Sequence, residues 1–75
     1  MKNIIEAWMT FSGKCLSKMA TKAGEGWYGW DEERYRSHLI KKLRKNVESR
    51  SWVDVANFAM MLDTIDSKEV EVSDE

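Results

Sequence analysis

The sequence predicts an all-α protein, a small bundle of three helices. Three observations support this fold class. Proline is absent, the four glycines leave one clear interruption, at 24–29, and apolar residues recur at helical spacing on both sides of it. A chain of 75 residues has room for one domain, which we expect at 1–66, followed by a flexible acidic tail at 67–75.

Helix one is expected at about 2–22. When residues are placed about 100° apart, an apolar stripe covers roughly half of its circumference. Gly13 lies on the polar side, where it lowers helix propensity without disturbing the packing. Cys15 lies at the edge of the stripe and is interpreted as a small buried apolar residue, because no base lies near it in sequence. The stripe contains Ile5, Trp8, Met9, Leu16 and Met19.

Helix two is expected at about 31–48. Asp31 is a good N-cap residue, and Glu32 and Glu33 follow in the first turn, where the helix dipole favours negative charge. The apolar side of this helix carries Leu39 and Leu43, and the opposite side is basic. It is therefore predicted to pack by one face and to expose the other.

Helix three is expected at about 51–66. It opens with Ser51 and Asp54, which fit a capping box in which each side chain accepts the other residue's amide. Apolar residues surround this helix, and two short neighbours could cover only one side, so we predict a homo-oligomer. The residues assigned to the core or the oligomer interface are Trp8, Leu39, Leu43, Val55, Phe58 and Leu62.

Composition restricts the function classes. Cys15 cannot form a disulfide within the chain, and one cysteine with one histidine, His38, cannot complete a tetrahedral zinc site. No apolar run reaches the roughly 18 residues of a membrane span, and Lys2 and Glu6 interrupt any signal-peptide core. We therefore expect a cytoplasmic protein without a membrane partner.

Two surfaces are candidate partner-binding sites. Trp27, Tyr28 and Trp30 lie in the glycine-rich loop, where they could cap the bundle or anchor a partner. The basic side of helix two is the best candidate for an anion or nucleic-acid surface, although a solvated helix face is the simpler interpretation and His38 is taken as a surface residue. The basic side chains in question are Arg34, Lys41, Arg44 and Lys45.

Two motifs carry a resemblance to known proteins. The first resemblance is to a motif pair of small phage and prophage proteins. It is carried by Gly26-Trp27-Tyr28-Gly29-Trp30-Asp31 and, further along the chain, by the stretch from Trp52 to Leu62. The segment from Asp54 to Met61 is similar to a helix of the MazG-like all-α nucleotide pyrophosphohydrolases. The resemblance implies a helical bundle, often oligomeric, and in the enzymes a magnesium site that converts nucleoside triphosphates to monophosphates.

The same resemblance implies which residues would hold the metal. The enzymes use an acidic cluster on one helix and a Glu-x-x-Asp pair on the next, and Asp54 matches the aspartate of that pair. Ser51 stands in the place of the glutamate, and helix one offers Glu6 alone. Magnesium needs about six oxygen ligands, so we expect the chemistry to be lost and Asp54 to serve as a capping residue. Asp63 and Asp66, at the end of helix three, are interpreted as solvated acids.

These observations lead to one leading hypothesis and two alternatives. We expect a non-catalytic phage or prophage accessory protein without a cofactor, acting in the host cytoplasm by protein–protein interaction, for example as an inhibitor of a host or anti-phage defence enzyme. The first alternative is a magnesium-dependent nucleoside triphosphate pyrophosphohydrolase whose site joins Asp54 to Glu32, Glu33 or Asp63 of a neighbouring subunit. The second is nucleic-acid binding through the basic side of helix two.

Overall fold

The computed structural model describes the backbone of residues 3–73 and the side chains of residues 3–68. Over this range the chain forms three helices and no strand, which confirms the predicted all-α bundle. A single 3-10 turn, Glu33–Tyr35, precedes the second helix. The helices are α1 (Ile4–Gly24), α2 (Arg36–Glu48) and α3 (Trp52–Ser73).

Helix α1 has well-formed caps at both ends. The Asn3 Oδ1 accepts hydrogen bonds from the amides of Ile5 (2.7 Å) and Glu6 (3.4 Å), so Asn3 is the N-cap. At the other end Gly26 adopts a φ of 80°, and the Trp27 amide donates to the Lys22 carbonyl at 3.2 Å. This Schellman arrangement ends the helix and turns the chain into the loop.

The start of α2 differs from the prediction. Asp31 is not its N-cap, because four residues stand between it and Arg36 and its carboxylate instead forms an ion pair with Lys68 of α3. Gly29 has a φ of 86°, and the amide of Glu32 donates to its carbonyl at 3.3 Å, so the chain turns here before the 3-10 segment begins. The tertiary contact to α3 therefore overrides the capping preference of Asp31.

The capping box predicted at the start of α3 is also wrong. The Ser51 amide donates to the Asn46 carbonyl at 2.9 Å, closing a Schellman motif in which Arg50 takes a φ of 60°. The Asp54 carboxylate holds the ammonium of Lys18 on α1. Both groups of the expected box are thus engaged elsewhere, by the end of α2 and by α1.

The hydrophobic core lies where α2 and α3 meet. Leu39, Met61 and Ile65 are buried, with exposures of 3%, 1% and 3%. Helix α3 packs most extensively on α2 and less on α1. The partly buried residues around the core are Met19, Trp30, Tyr35, Phe58 and Leu62.

Helix α3 continues beyond its predicted end. Its backbone is helical to Ser73, whereas the predicted end was at about residue 66. No glycine or proline follows residue 66, so nothing in the sequence interrupts the helix there. The side chains of 69–73 and all of residues 74 and 75 lie outside the described residues, and the flexibility of this end stays a prediction.

The part of helix α1 that contacts the rest of the chain is narrower than the apolar stripe predicted from the sequence. None of its residues is buried, although Phe11, Cys15 and Met19 are partly covered. Met9 and Leu16, from the middle of the predicted stripe, are 69% and 71% exposed. Within residues 3–73, no helix combines the length and the apolar character that crossing a membrane would require.

Candidate functional site

A cleft of about 470 Å³ opens between the three helices and the loop that joins α1 to α2. Its floor is the exposed side of the core, formed by Leu39, Phe58 and Met61. Its rim carries aromatic rings from the loop and amino groups from α1 and α2. Concave sites with an apolar floor and a few polar groups are typical of binding sites.

The loop aromatics divide between the two roles that the sequence allowed. Trp30 packs against the core and caps this end of the bundle. Trp27 and Tyr28 are 41% and 88% exposed at the rim of the cleft. The Lys22 ammonium lies 5.8 Å from the centroid of the Trp27 ring, in a cation–π contact. The rim thus presents two rings to any molecule that enters the cleft.

Four basic side chains line the cleft. Helix α2 contributes His38 and Lys42, which are four residues apart and therefore lie on one side of the helix. Helix α1 contributes Lys18 and Lys22. Lys18 is paired with Asp54, which also lines the cleft, and the Lys22 ammonium lies 3.9 Å from the carboxylate of Glu25. The Lys22 contact is long, so Lys22 remains, with His38 and Lys42, a cationic or hydrogen-bonding group at the aromatic rim.

Asn57 is a site residue that the sequence analysis missed. It is only 5% exposed, and its Nδ2 donates to the Cys15 carbonyl of α1 at 3.2 Å. This hydrogen bond ties α1 to α3 at the wall of the cleft. An amide between the apolar Ala56 and Phe58 was the available signal, because a polar side chain in a buried helix requires a partner.

The four basic residues proposed for nucleic-acid binding do not form one surface with the cleft. Arg34 lies in the 3-10 turn, where its guanidinium is 3.2 Å from Glu32 and stacks 4.9 Å from the Tyr35 ring. Lys41, Arg44 and Lys45 are exposed on α2 but do not line the cleft. The basic residues of α2 are therefore divided between an exposed side and the cleft.

A neighbouring basic residue, Arg36, stabilises the start of α2. Its guanidinium is 2.6 Å from Glu33 and 2.7 Å from Asp66 of α3. These two carboxylates, Glu33 first, raise the pKa of Arg36 above its ordinary value. Asp66, which was interpreted as a solvated acid, is thus half of an ion pair between helices.

The residues assigned to the core or an interface occupy three environments. Leu39 is buried, whereas Leu43, Val55, Phe58 and Leu62 are partly buried. Trp8 is 60% exposed and meets Phe11 edge to face, with 5.9 Å between the ring centroids. Trp8 therefore belongs to the exposed part of α1 and not to the core of one chain.

The carboxylates do not converge around the cleft. Asp54 is engaged by Lys18, and Asp63 is exposed on α3. In the part of the chain that the structure describes, no three His, Cys, Asp or Glu side chains lie close enough to share a metal ion. Within this described range, therefore, no group of side chains offers the several oxygen ligands that magnesium prefers.

The chemistry of the cleft suits a ligand that is both anionic and partly apolar. Exposed rings offer stacking or an anchor pocket, and the amino groups attract negative charge. The buried floor is already packed, so it would change little on binding. The chain matches no protein-family model, no curated protein and no solved structure, so its function is inferred from this chemistry.

Proposed function

We propose that this chain is a non-catalytic binding module that acts through protein–protein interaction at the cleft. The supporting observation is the combination of an apolar floor with exposed Trp27 and Tyr28 and with the amino groups of Lys22 and Lys42. A peptide segment that carries one large apolar side chain between acidic residues matches this lining in shape and charge. Aromatic anchors of this kind dominate the energy of many interfaces.

The partner is proposed to be a host or anti-phage defence enzyme, with this chain as its inhibitor in the host cytoplasm. The resemblance of Gly26–Asp31 and Trp52–Leu62 to motifs of phage and prophage proteins supports this choice. An inhibitor of this size needs no reaction of its own, since occupation of a surface on the enzyme is sufficient.

Peptide selection on the immobilised full-length chain tests this function. From a library of random displayed peptides, we expect enrichment of sequences with acidic residues around one aromatic or aliphatic residue. Affinities measured by fluorescence polarisation should fall about tenfold for Lys42→Glu, which places a like charge beside the bound acid. Arg44→Glu is the matched control, because Arg44 undergoes the same charge change on the exposed side of α2 and should bind like the wild type.

Three results would contradict the proposal. The first is a selection that enriches no peptide, and the second is a set of enriched peptides that lack acidic residues. The third is an equal loss of peptide affinity in Lys42→Glu and Arg44→Glu. A single-stranded oligonucleotide that binds with an affinity falling steeply with salt would instead support nucleic-acid binding. In that case Arg44→Glu should weaken binding as much as Lys42→Glu does.

A second candidate function is nucleoside triphosphate pyrophosphohydrolysis at a site shared between subunits. It is favoured by one observation, that Asp54 lines a cleft whose aromatic and amino groups also suit a nucleotide. Among residues 3–68 of one chain, no further carboxylate joins Asp54 in the lining of the cleft, so Glu32, Glu33 or Asp63 of a neighbour would supply the others. Magnesium-dependent release of pyrophosphate that disappears in Asp54→Asn would establish this function in place of the first.

A further inference from the structure

Helix α1 exposes large apolar side chains that do not line the cleft. Ile5, Met9 and Leu16 are 63%, 69% and 71% exposed. At about 100° per residue these three positions lie within roughly 40° of one another on the helix. They form one stripe, which we call the α1 stripe.

The spacing of the α1 stripe is that of a helix that pairs with another helix. Positions 5, 9, 12, 16, 19 and 23 alternate steps of four and three, the pattern of a two-helix seam. Ile5, Met9, Leu16, Met19 and Ala23 fill five of the six positions, and Ser12 fills the other. Met19 already packs on the core of its own chain, whereas Ile5, Met9 and Leu16 have no comparable cover.

The accessible area of the whole chain, both ends included, is larger than that of a compact monomer. The chain exposes 6049 Å² for a mass of 8.8 kDa. A folded monomer of this mass exposes about 4,800 Å², so about 1,300 Å² is in excess. A stable interface buries roughly 800 Å² on each partner. The radius of gyration of 14.1 Å also exceeds the roughly 11 Å expected for a compact chain of this length.

We propose that the α1 stripe is the interface between two copies of this chain. Only three hydrophobic side chains among residues 3–68 are buried, so the fold itself needs the additional burial. A surface required for folding must be covered by a molecule that is present whenever the chain folds, and another copy meets this condition. Lys18 and Lys22 lie roughly 120° or more around α1 from the centre of the stripe, so pairing through Ile5, Met9 and Leu16 leaves these two amino groups of the cleft exposed. Met19, which lines the cleft, stays packed on the core of its own chain.

Analytical ultracentrifugation of the full-length chain over a range of concentrations tests this proposal. We expect the wild type to have about twice the mass of one chain, and Leu16→Glu to weaken the dimer about 30-fold or more. Trp52→Glu is the matched control, because Trp52 is 53% exposed on α3, away from the stripe, and should leave the dimer intact. A wild type that stays monomeric, or a Leu16→Glu dimer as tight as the wild type, would overturn the proposal.

If Leu16→Glu does not fold, the concentration dependence of melting decides instead. Leu16 makes few contacts within one chain, so unfolding on its substitution already indicates a stabilising partner chain. We expect the wild-type melting temperature to rise with protein concentration. The melting temperature of Leu16→Ala should also rise with concentration but should be lower than that of the wild type at each concentration. A wild-type melting temperature that is independent of concentration would reject the dimer.

Discussion

Asn57 is a buried polar residue whose hydrogen-bond partner is supplied by a different helix. Its side chain is buried, and its amide bonds to a carbonyl that is 42 residues away in sequence. We expect Asn57→Ala to lower the free energy of unfolding by about 1–2 kcal/mol, because the bond between α1 and α3 is lost and a small void replaces the amide. Urea unfolding followed by circular dichroism measures this change.

Asn46→Ala is the control for this prediction. The Asn46 amide donates to the Lys42 carbonyl at 2.8 Å, within the same helix, so it joins no two elements. Its removal should cost about 0.5 kcal/mol or less, as for other partly exposed polar residues. Equal losses for the two variants would show that the Asn57 bond does not hold α1 to α3.

At the scale of an element, the α1–α2 loop is attached to α3 by the ion pair of Asp31 with Lys68. The hydrogen bond from Lys68 is the largest influence on Asp31 and lowers its pKa below the ordinary value of 3.8, against a smaller opposing effect of burial. A carboxyl group whose pKa is lower in the folded chain than in the unfolded chain stabilises the fold. This contribution is fully present at pH values above the pKa of the unfolded chain. That contribution is lost as the pH falls through the lowered value.

We therefore expect Asp31→Asn to reduce the melting temperature at neutral pH and to have little effect in acid below the lowered pKa. The comparison requires thermal unfolding of both proteins across this pH range. Asp63→Asn, an exposed carboxylate of α3, should show a smaller difference at neutral pH. A deficit of Asp31→Asn that persists unchanged in strong acid would indicate that the loss comes from the loop geometry and not from the ion pair.

At the scale of the whole molecule, stability depends on a small core. Ile65 is 3% exposed and belongs to the buried cluster with Leu39 and Met61, and Ile→Ala in such a position costs about 2–5 kcal/mol. Domains have only about 5–15 kcal/mol in total, and small ones lie at the low end. We expect Ile65→Ala to be largely unfolded near physiological temperature.

Val47→Ala is the matched truncation outside the core, because Val47 is 41% exposed on α2. It should cost less than about 1 kcal/mol, in proportion to the smaller apolar area that it buries. Thermal unfolding at one fixed protein concentration compares the two variants without a contribution from assembly. Equal destabilisation would mean that the core is not centred on Leu39, Met61 and Ile65.

The sequence by itself determined the fold class and the number of helices. Helical periodicity, the absence of proline and a single glycine cluster are local properties, and helix formation responds to local properties. The loop aromatics were also predicted as candidate site residues from a local property, because they lie next to glycines in the sequence. The basic residues assigned to a site from the sequence, Arg34, Lys41, Arg44 and Lys45, do not line the cleft, and the lysines that do, Lys18, Lys22 and Lys42, were not assigned to it.

The tertiary structure decided where the helices end and which faces they bury. The pairs Lys18 with Asp54 and Lys68 with Asp31 span 36 and 37 residues. They displaced the caps predicted for Asp54 and Asp31 because a nearby opposite charge competes with a local amide for a carboxylate. Which part of the apolar face of α1 is covered depends on how α1 lies across α3, and helix orientation is set by packing between elements that no local pattern encodes.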